Sequence, residues 1–282
     1  MEPNNNNPFN NLKKHQPQEP AVTPDSAPVV EEEPQDREMG KVIWIGSILA
    51  LILYIIPFTR FVFGYFSTLV HELGHAMFAW IFGRLAIPSF DFMFGGGVTM
   101  IYDRAMGFEW FATIALAVLL IISWRNRLRM IWLTGFSIIY LYLMFSHADE
   151  ALGIFMGHGS ELIFAGIFLY RGISSYACHN TTERYAYMMI GAFLVIHALG
   201  FAHGLLFDKY KIMEYYEGKG GLLDNDFVRI ADEYWHVKLS MVVSFYYFLV
   251  LITPVVTFLL YRHRDRWHRL VARLLSRDGS GV

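Results

Sequence analysis

Between Phe61 and Phe82 the chain reads FVFGYFSTLVHELGHAMFAWIF, an apolar run interrupted at its middle by His71, Glu72 and His75. A helix that crosses hydrocarbon needs roughly 20 predominantly apolar residues, and this run has that length. An ionisable side chain at the centre of a bilayer costs about 2.5 to 3.5 kcal/mol on insertion scales. Three such residues within five positions therefore need a compensating partner. On a helix His71 and His75 lie one turn apart on one face, the spacing two imidazoles need to grip one metal ion. Glu72, rotated about 100° around the helix, can reach a water at the metal without being a ligand and act as its base. The expectation is a zinc site with His71 and His75 as ligands and Glu72 as the catalytic residue.

Six further apolar blocks flank this one. Together the seven are Val42 to Pro57, Phe61 to Phe82, Gly107 to Trp124, Met130 to Ser146, Ala151 to Tyr170, Tyr185 to Phe207 and Val237 to Tyr261. With 55% hydrophobic and 17% aromatic residues against 17% charged, the composition agrees. The expected fold is an all-α polytopic membrane protein of about seven transmembrane helices, with a short extended or hairpin segment after the zinc helix. That segment, Arg84 to Met106, alternates in polarity and carries Gly95, Gly96 and Gly97. Residues 1–39 hold seven of the ten prolines and an acidic cluster at Glu31 to Glu33, so they read as a disordered tail. Residues 40–261 read as the helical domain, with Asp208 to Trp235 as a soluble loop. Residues 262–282 read as a basic tail whose Trp267, Leu270, Val271, Leu274 and Leu275 fit an amphipathic helix on an anionic surface, or a plain stop-transfer flank.

Charge and cysteine content narrow the function classes. A net charge of −2 without a basic stripe away from the membrane flanks speaks against nucleic acid. The single cysteine, Cys178, excludes an internal disulfide and a thiolate zinc cage, so the ligands must be His and carboxylate. For the third ligand the fifth block offers His158 and Glu161. Gly153 and Gly157 precede Glu161 at four-residue spacing, a small-residue strip that lets a neighbouring helix approach closely. Glu161 is the expected ligand, with His158 as a supporting hydrogen-bond donor or the ligand itself. Asp149 is the rival, alternatively an N-cap. His197 and His203, six apart, turn away from each other and read as packing residues.

These residues resemble the site-2 protease class of intramembrane zinc metallopeptidases, in its compact branch without a PDZ domain. The resemblance rests on His71 to Ala76 within a membrane helix and on the glycine-bearing stretch Phe90 to Met100 that follows. It implies zinc on His71 and His75, Glu72 as base, and an extended segment around Gly95, Gly96 and Gly97 that pairs with an unwound substrate strand. The chain departs from the family's Asp-Gly third-ligand motif: its one Asp-Gly is Asp278-Gly279. The positive-inside rule places Arg125, Arg127, Arg129, Arg171 and Arg184 in the cytoplasm, with the amino-terminal side of the first block outside. That also puts Arg84 to Met106 outside, whereas the resemblance implies the cytoplasmic side.

The expected activity is hydrolysis of peptide bonds in or near the membrane segment of a protein substrate, with zinc as cofactor and the lipid bilayer as surroundings. Two other classes stand beside it. A non-proteolytic membrane module could hold client helices on the same fold, and a two-metal oxidase would need more His and carboxylate clusters than the sequence provides. Composition leaves the oligomeric state open.

Overall fold

The structure is a computed structural model that describes residues 35–91, 96–217 and 225–275. It is mostly helical, with five helices long and apolar enough to cross a membrane and one two-stranded hairpin. The chain runs through α1 (Gln35–Ile55), α2 (Pro57–Ile81), the strands β1 (Arg84–Asp91) and β2 (Gly96–Arg104), then α3 (Phe108–Ser123) and α4 (Arg127–Phe145). It continues with α5 (Ala148–Ser174), α6 (Thr181–Phe207), α7 (Lys209–Glu217), α8 (Asp226–Arg229), a π-helical turn (Ile230–Trp235), α9 (Leu239–Arg262) and α10 (Arg264–Leu275). The five long apolar helices are α1, α4, α5, α6 and α9, whereas α3 is shorter. Residues 1–34 of the expected tail lie outside the described residues, and α1 begins at Gln35, inside the segment read as disordered.

Helix α5 is the centre of the bundle. Of its 27 residues 14 are buried, against 10 of 27 in α6 and 2 of 19 in α4, and it packs against α2, α6 and α9. The outer helices α3 and α4 expose Phe111, Ile114, Ile121, Ile131 and Ile139. A water-facing surface does not sustain so continuous an apolar patch.

Strict alternation of seven spans would run the first and sixth antiparallel. Instead α1 and α6 are parallel: Glu38 pairs with Arg184 at 3.6 Å, Gly46 lies against Met188, and Gly200 lies against Tyr54. The chain therefore does not reverse between α1 and α2. Only Ile56, extended at φ −75° and ψ 117°, separates the two helices, too little for a hairpin. Pro57 lacks an N–H and its ring displaces the carbonyl of Leu53, four residues earlier. The Thr59 hydroxyl satisfies that carbonyl at 2.8 Å. The start of α1 thus lies beside the start of α6, which corrects the expected placement of the amino-terminal side opposite the arginines.

The expected hairpin is present. β1 and β2 pair antiparallel, with Ile87 opposite Met100 and Phe90 opposite Gly97, and the tip with Gly95 lies outside the described residues. Two arginines at its base dock it on α5. Arg84 and Arg104 reach Asp149 Oδ2 at 3.2 and 2.7 Å, and Arg84 also meets Glu150 at 2.6 Å. Asp149, whose side chain is 1% exposed, thus anchors the hairpin, and it lies outside both donor groups found among the described residues.

Replacing Asp149 with alanine leaves two largely buried guanidiniums without their shared partner, a change that typically costs about 3 to 5 kcal/mol. We expect Asp149→Ala to lower the detergent-solubilised unfolding midpoint markedly. A midpoint within error of wild type would refute the anchoring role.

Candidate metal centre

His71 and His75 sit on the face of α2 that meets α5. Their Nε2 atoms are 3.1 Å apart. Asp226, at the start of α8, places Oδ2 at 2.9 Å from His71 Nε2 and 3.1 Å from His75 Nε2. Zinc with bonds of about 2.0 to 2.1 Å separates tetrahedral ligands by about 3.3 Å, so the three atoms are spaced as such a set requires.

The far side of each ring fixes its orientation. His75 Nδ1 donates to the Gly153 carbonyl at 2.9 Å, and His71 Nδ1 faces Glu161 Oε1 at 3.7 Å. With protons on Nδ1, both Nε2 lone pairs and the Asp226 carboxylate point at one spot. Together His71, His75 and Asp226 form a donor set that could hold one cation.

The expected ligand Glu161 is placed differently. It accepts from Ser67 Oγ at 3.0 Å and Tyr246 OH at 3.3 Å, and it stands behind His71 on the Nδ1 side, away from the Nε2 atoms. That is the position of a carboxylate that orients a ligating imidazole. His158 stands 3.5 Å from Glu161 and packs edge-on against His71, enclosed by Phe201, Phe227 and Tyr246. His71, His158 and Glu161 form a second donor cluster that shares His71 with the first.

Sequence reading missed Asp226. It assigned Asp208 to Trp235 to solvent, whereas Phe227, Val228, Ile230 and Ala231 are buried in the core formed with α5, α6 and α9. Tyr215 of α7 pins the segment: its carbonyl accepts from Asn225 at 2.8 Å, and its hydroxyl accepts from the Phe227 amide at 3.3 Å. A signal existed in Asn225-Asp226 followed by apolar residues at helical spacing, a capped helix start.

Glu72 is buried and held from the hairpin, Thr99 Oγ1 donating to its Oε2 at 2.6 Å. Two glycines are required by close approach. A Cβ at Gly97 would strike the Glu72 carboxylate, and one at Gly157 would strike both imidazoles. The shared cavity, about 380 Å³, is lined by the histidines, Glu72, Glu161, Asp226 and residues Gly96 to Thr99 of β2. His197 lines it too, whereas Gly95 lies outside the described residues.

Comparison with known proteins gives no matching family model, no matching curated protein and no matching solved structure.

Gly157→Ala pushes a methyl group between α5 and both rings. We expect zinc per chain, measured by elemental analysis, to fall by at least half. Gly153→Ala, whose new Cβ meets nothing within 4 Å, keeps the wild-type amount. Equal metal in both variants would contradict the geometry.

Proposed function

We propose that the protein is an intramembrane zinc metallopeptidase of the site-2 protease kind, cleaving peptide bonds in or near the membrane segment of a protein substrate. The observation that carries this reading is the convergence of His71 Nε2, His75 Nε2 and Asp226 Oδ2 to within 3.1 Å, in a cavity that Glu72 also lines. In this reading His71, His75 and Asp226 hold the metal. Zinc there would polarise the scissile carbonyl and lower the pKa of water towards about 7.

The chain's own residues supply the rest. Glu72, fixed by Thr99, takes the proton of the attacking water and passes it to the leaving amine. Ser67, Thr68 and Asn225 give the cavity a polar wall that water can wet. Strand β2 lines the same cavity and has β1 as its one partner in the described sheet, so an extended substrate backbone laid along it would meet Glu72. Such pairing needs the substrate helix to unwind, which suits a segment carrying helix-breaking residues.

Five long apolar helices and the apolar outer face support a bilayer location. We assign the crossing set to α1, α4, α5, α6 and α9, with α3 as a shorter span and α2 continuing the sense of α1. One end then gathers the start of α1, the α3–α4 turn, the α5–α6 turn and α10, which Asn126 ties to Arg273 at 3.0 Å. Its arginines favour the cytoplasm.

Glu72→Gln should retain zinc and lose about 10²- to 10⁴-fold in cleavage rate, the usual share of a general base. Asp226→Ala should lose the metal, and Glu161→Ala should weaken its binding about 10- to 100-fold, as removal of a supporting carboxylate does. Wild-type cleavage by Glu72→Gln, or a full zinc complement in Asp226→Ala, would overturn the assignment. Topology gives a separate test. Reporters fused ahead of α1 and behind α10 should both read cytoplasmic, and a reporter between α7 and α8 should read outside. Reporters ahead of α1 and behind α10 on opposite sides would refute the parallel arrangement of α1 and α6.

A further inference from the structure

On the side of α5 turned away from the metal centre, a cavity of about 920 Å³ opens between α5 and α9. Its walls are Leu162, Ile163, Gly166 and Ile167 of α5 with Val256 and Leu260 of α9. Ile163 and Ile167 are about half exposed, so the cleft opens outward. The lack of a side chain at Gly166 makes room in its floor, where an added Cβ would touch Thr257 Oγ1 at 3.4 Å.

The cleft changes character at one end. There Arg171, Tyr176, Arg264, Trp267 and His268 close it, two arginines among aromatic and imidazole side chains. Aromatic rings of this kind favour the level of lipid headgroups. Arg171 is held rigidly: it stacks on Tyr187 at 3.8 Å and donates through Nη2 to the Ala177 carbonyl at 2.6 Å. Its Nε is buried without a hydrogen-bond partner, and it forms no salt bridge among the described residues. Arg264 stacks on Tyr261 at 4.6 Å. Among the described residues, no carboxylate lines the cavity.

We propose that this cleft binds an anionic phospholipid, one acyl chain lying between α5 and α9 and the phosphate held by Arg171 and Arg264. The dimensions agree. A leaflet is about 15 Å of hydrocarbon, half of a core about 30 Å thick. At about 1.5 Å per residue that is the helix length from Arg171 back to Leu162. A phosphate offers the oxygens that planar guanidinium forks recognise. The lipid would also fasten α10, which contributes Arg264, Trp267 and His268, to the bundle. A zwitterionic lipid fills the apolar part equally well but presents its own cation to the two arginines.

The proposal rests on the membrane location and not on metal or proteolysis, so it is tested on the full chain carrying Glu72→Gln. Purified in neutral detergent and delipidated, the protein is titrated with phosphatidylglycerol, phosphatidylcholine or inorganic phosphate, and bound lipid is counted by native mass spectrometry. We expect one tightly retained phosphatidylglycerol, at least tenfold weaker phosphatidylcholine, and no displacement by millimolar phosphate. Arg171→Gln with Arg264→Gln should weaken phosphatidylglycerol at least tenfold, whereas Arg125→Gln with Arg127→Gln, outside the cleft, should not. Should the first double variant fail to fold, Ile167→Trp, which fills the cleft from its open side, should produce the same loss. Equal retention of the two lipids, displacement by phosphate alone, or an equal loss in the Arg125 and Arg127 control would each overturn the proposal. So would wild-type retention in Ile167→Trp.

Discussion

Two imidazole rings have to stand with their Nε2 atoms 3.1 Å apart in the seam between α2 and α5, and much of the molecule follows from that requirement. The rings fit because Gly157 presents no side chain to them. They keep their orientation because α5 offers the Gly153 carbonyl to one Nδ1 and the Glu161 carboxylate to the other. Buried polar groups left without partners cost about 1 to 3 kcal/mol each, so this seam is also where the bundle would be weakest if the partners were absent. The central position of α5 reconciles the two demands. Gly157 and Glu161 face α2, while Leu162 and Leu169 pack into the cores formed with α6 and α9.

The hairpin is positioned by charge, where the helices are positioned by packing. Arg84 and Arg104 converge on Asp149, and the strand that ends in Arg104 carries Thr99 to the Glu72 carboxylate. An anchor at one end of α5 thus determines where the Glu72 carboxylate sits relative to the histidines. A two-stranded sheet has little stability of its own, and the docking against α2 and α5 gives it a fixed place.

The features legible in the sequence were those with a strong local pattern. The apolar runs named the long helices, and the His71 to His75 spacing named the face of α2 that bears donors. Alternation with glycines named the hairpin. What failed depended on information that no local window contains. The parallel course of α1 and α6 turns on a single linking residue, Ile56, and hydropathy counts blocks without registering whether the chain turns back between them. Asp226 was passed over because its segment is short and polar on either side, so composition assigned it to solvent although Phe227 and Ile230 are fully buried. Glu161 was expected as the third ligand; it stands with His158 at the Nδ1 side of His71, in a second donor group, and spacing along one helix could not tell that side of the imidazole from the Nε2 side. Asp149 was ambiguous for a related reason, since its partners Arg84 and Arg104 lie 65 and 45 residues away.

Asp226 lies 151 residues beyond His75. A growing chain emerges at about 5 to 20 residues per second, so the histidines and Glu72 precede their acidic companion by about 8 to 30 seconds. During that interval the helix carrying His71, Glu72 and His75 is already made, yet the donor group that includes Asp226 is incomplete. The donor set is complete only when α8 has been synthesised and its apolar face has seated against α5, α6 and α9. In the proposed reading the metal centre therefore stays incomplete through much of the chain's own synthesis, an order written into the sequence.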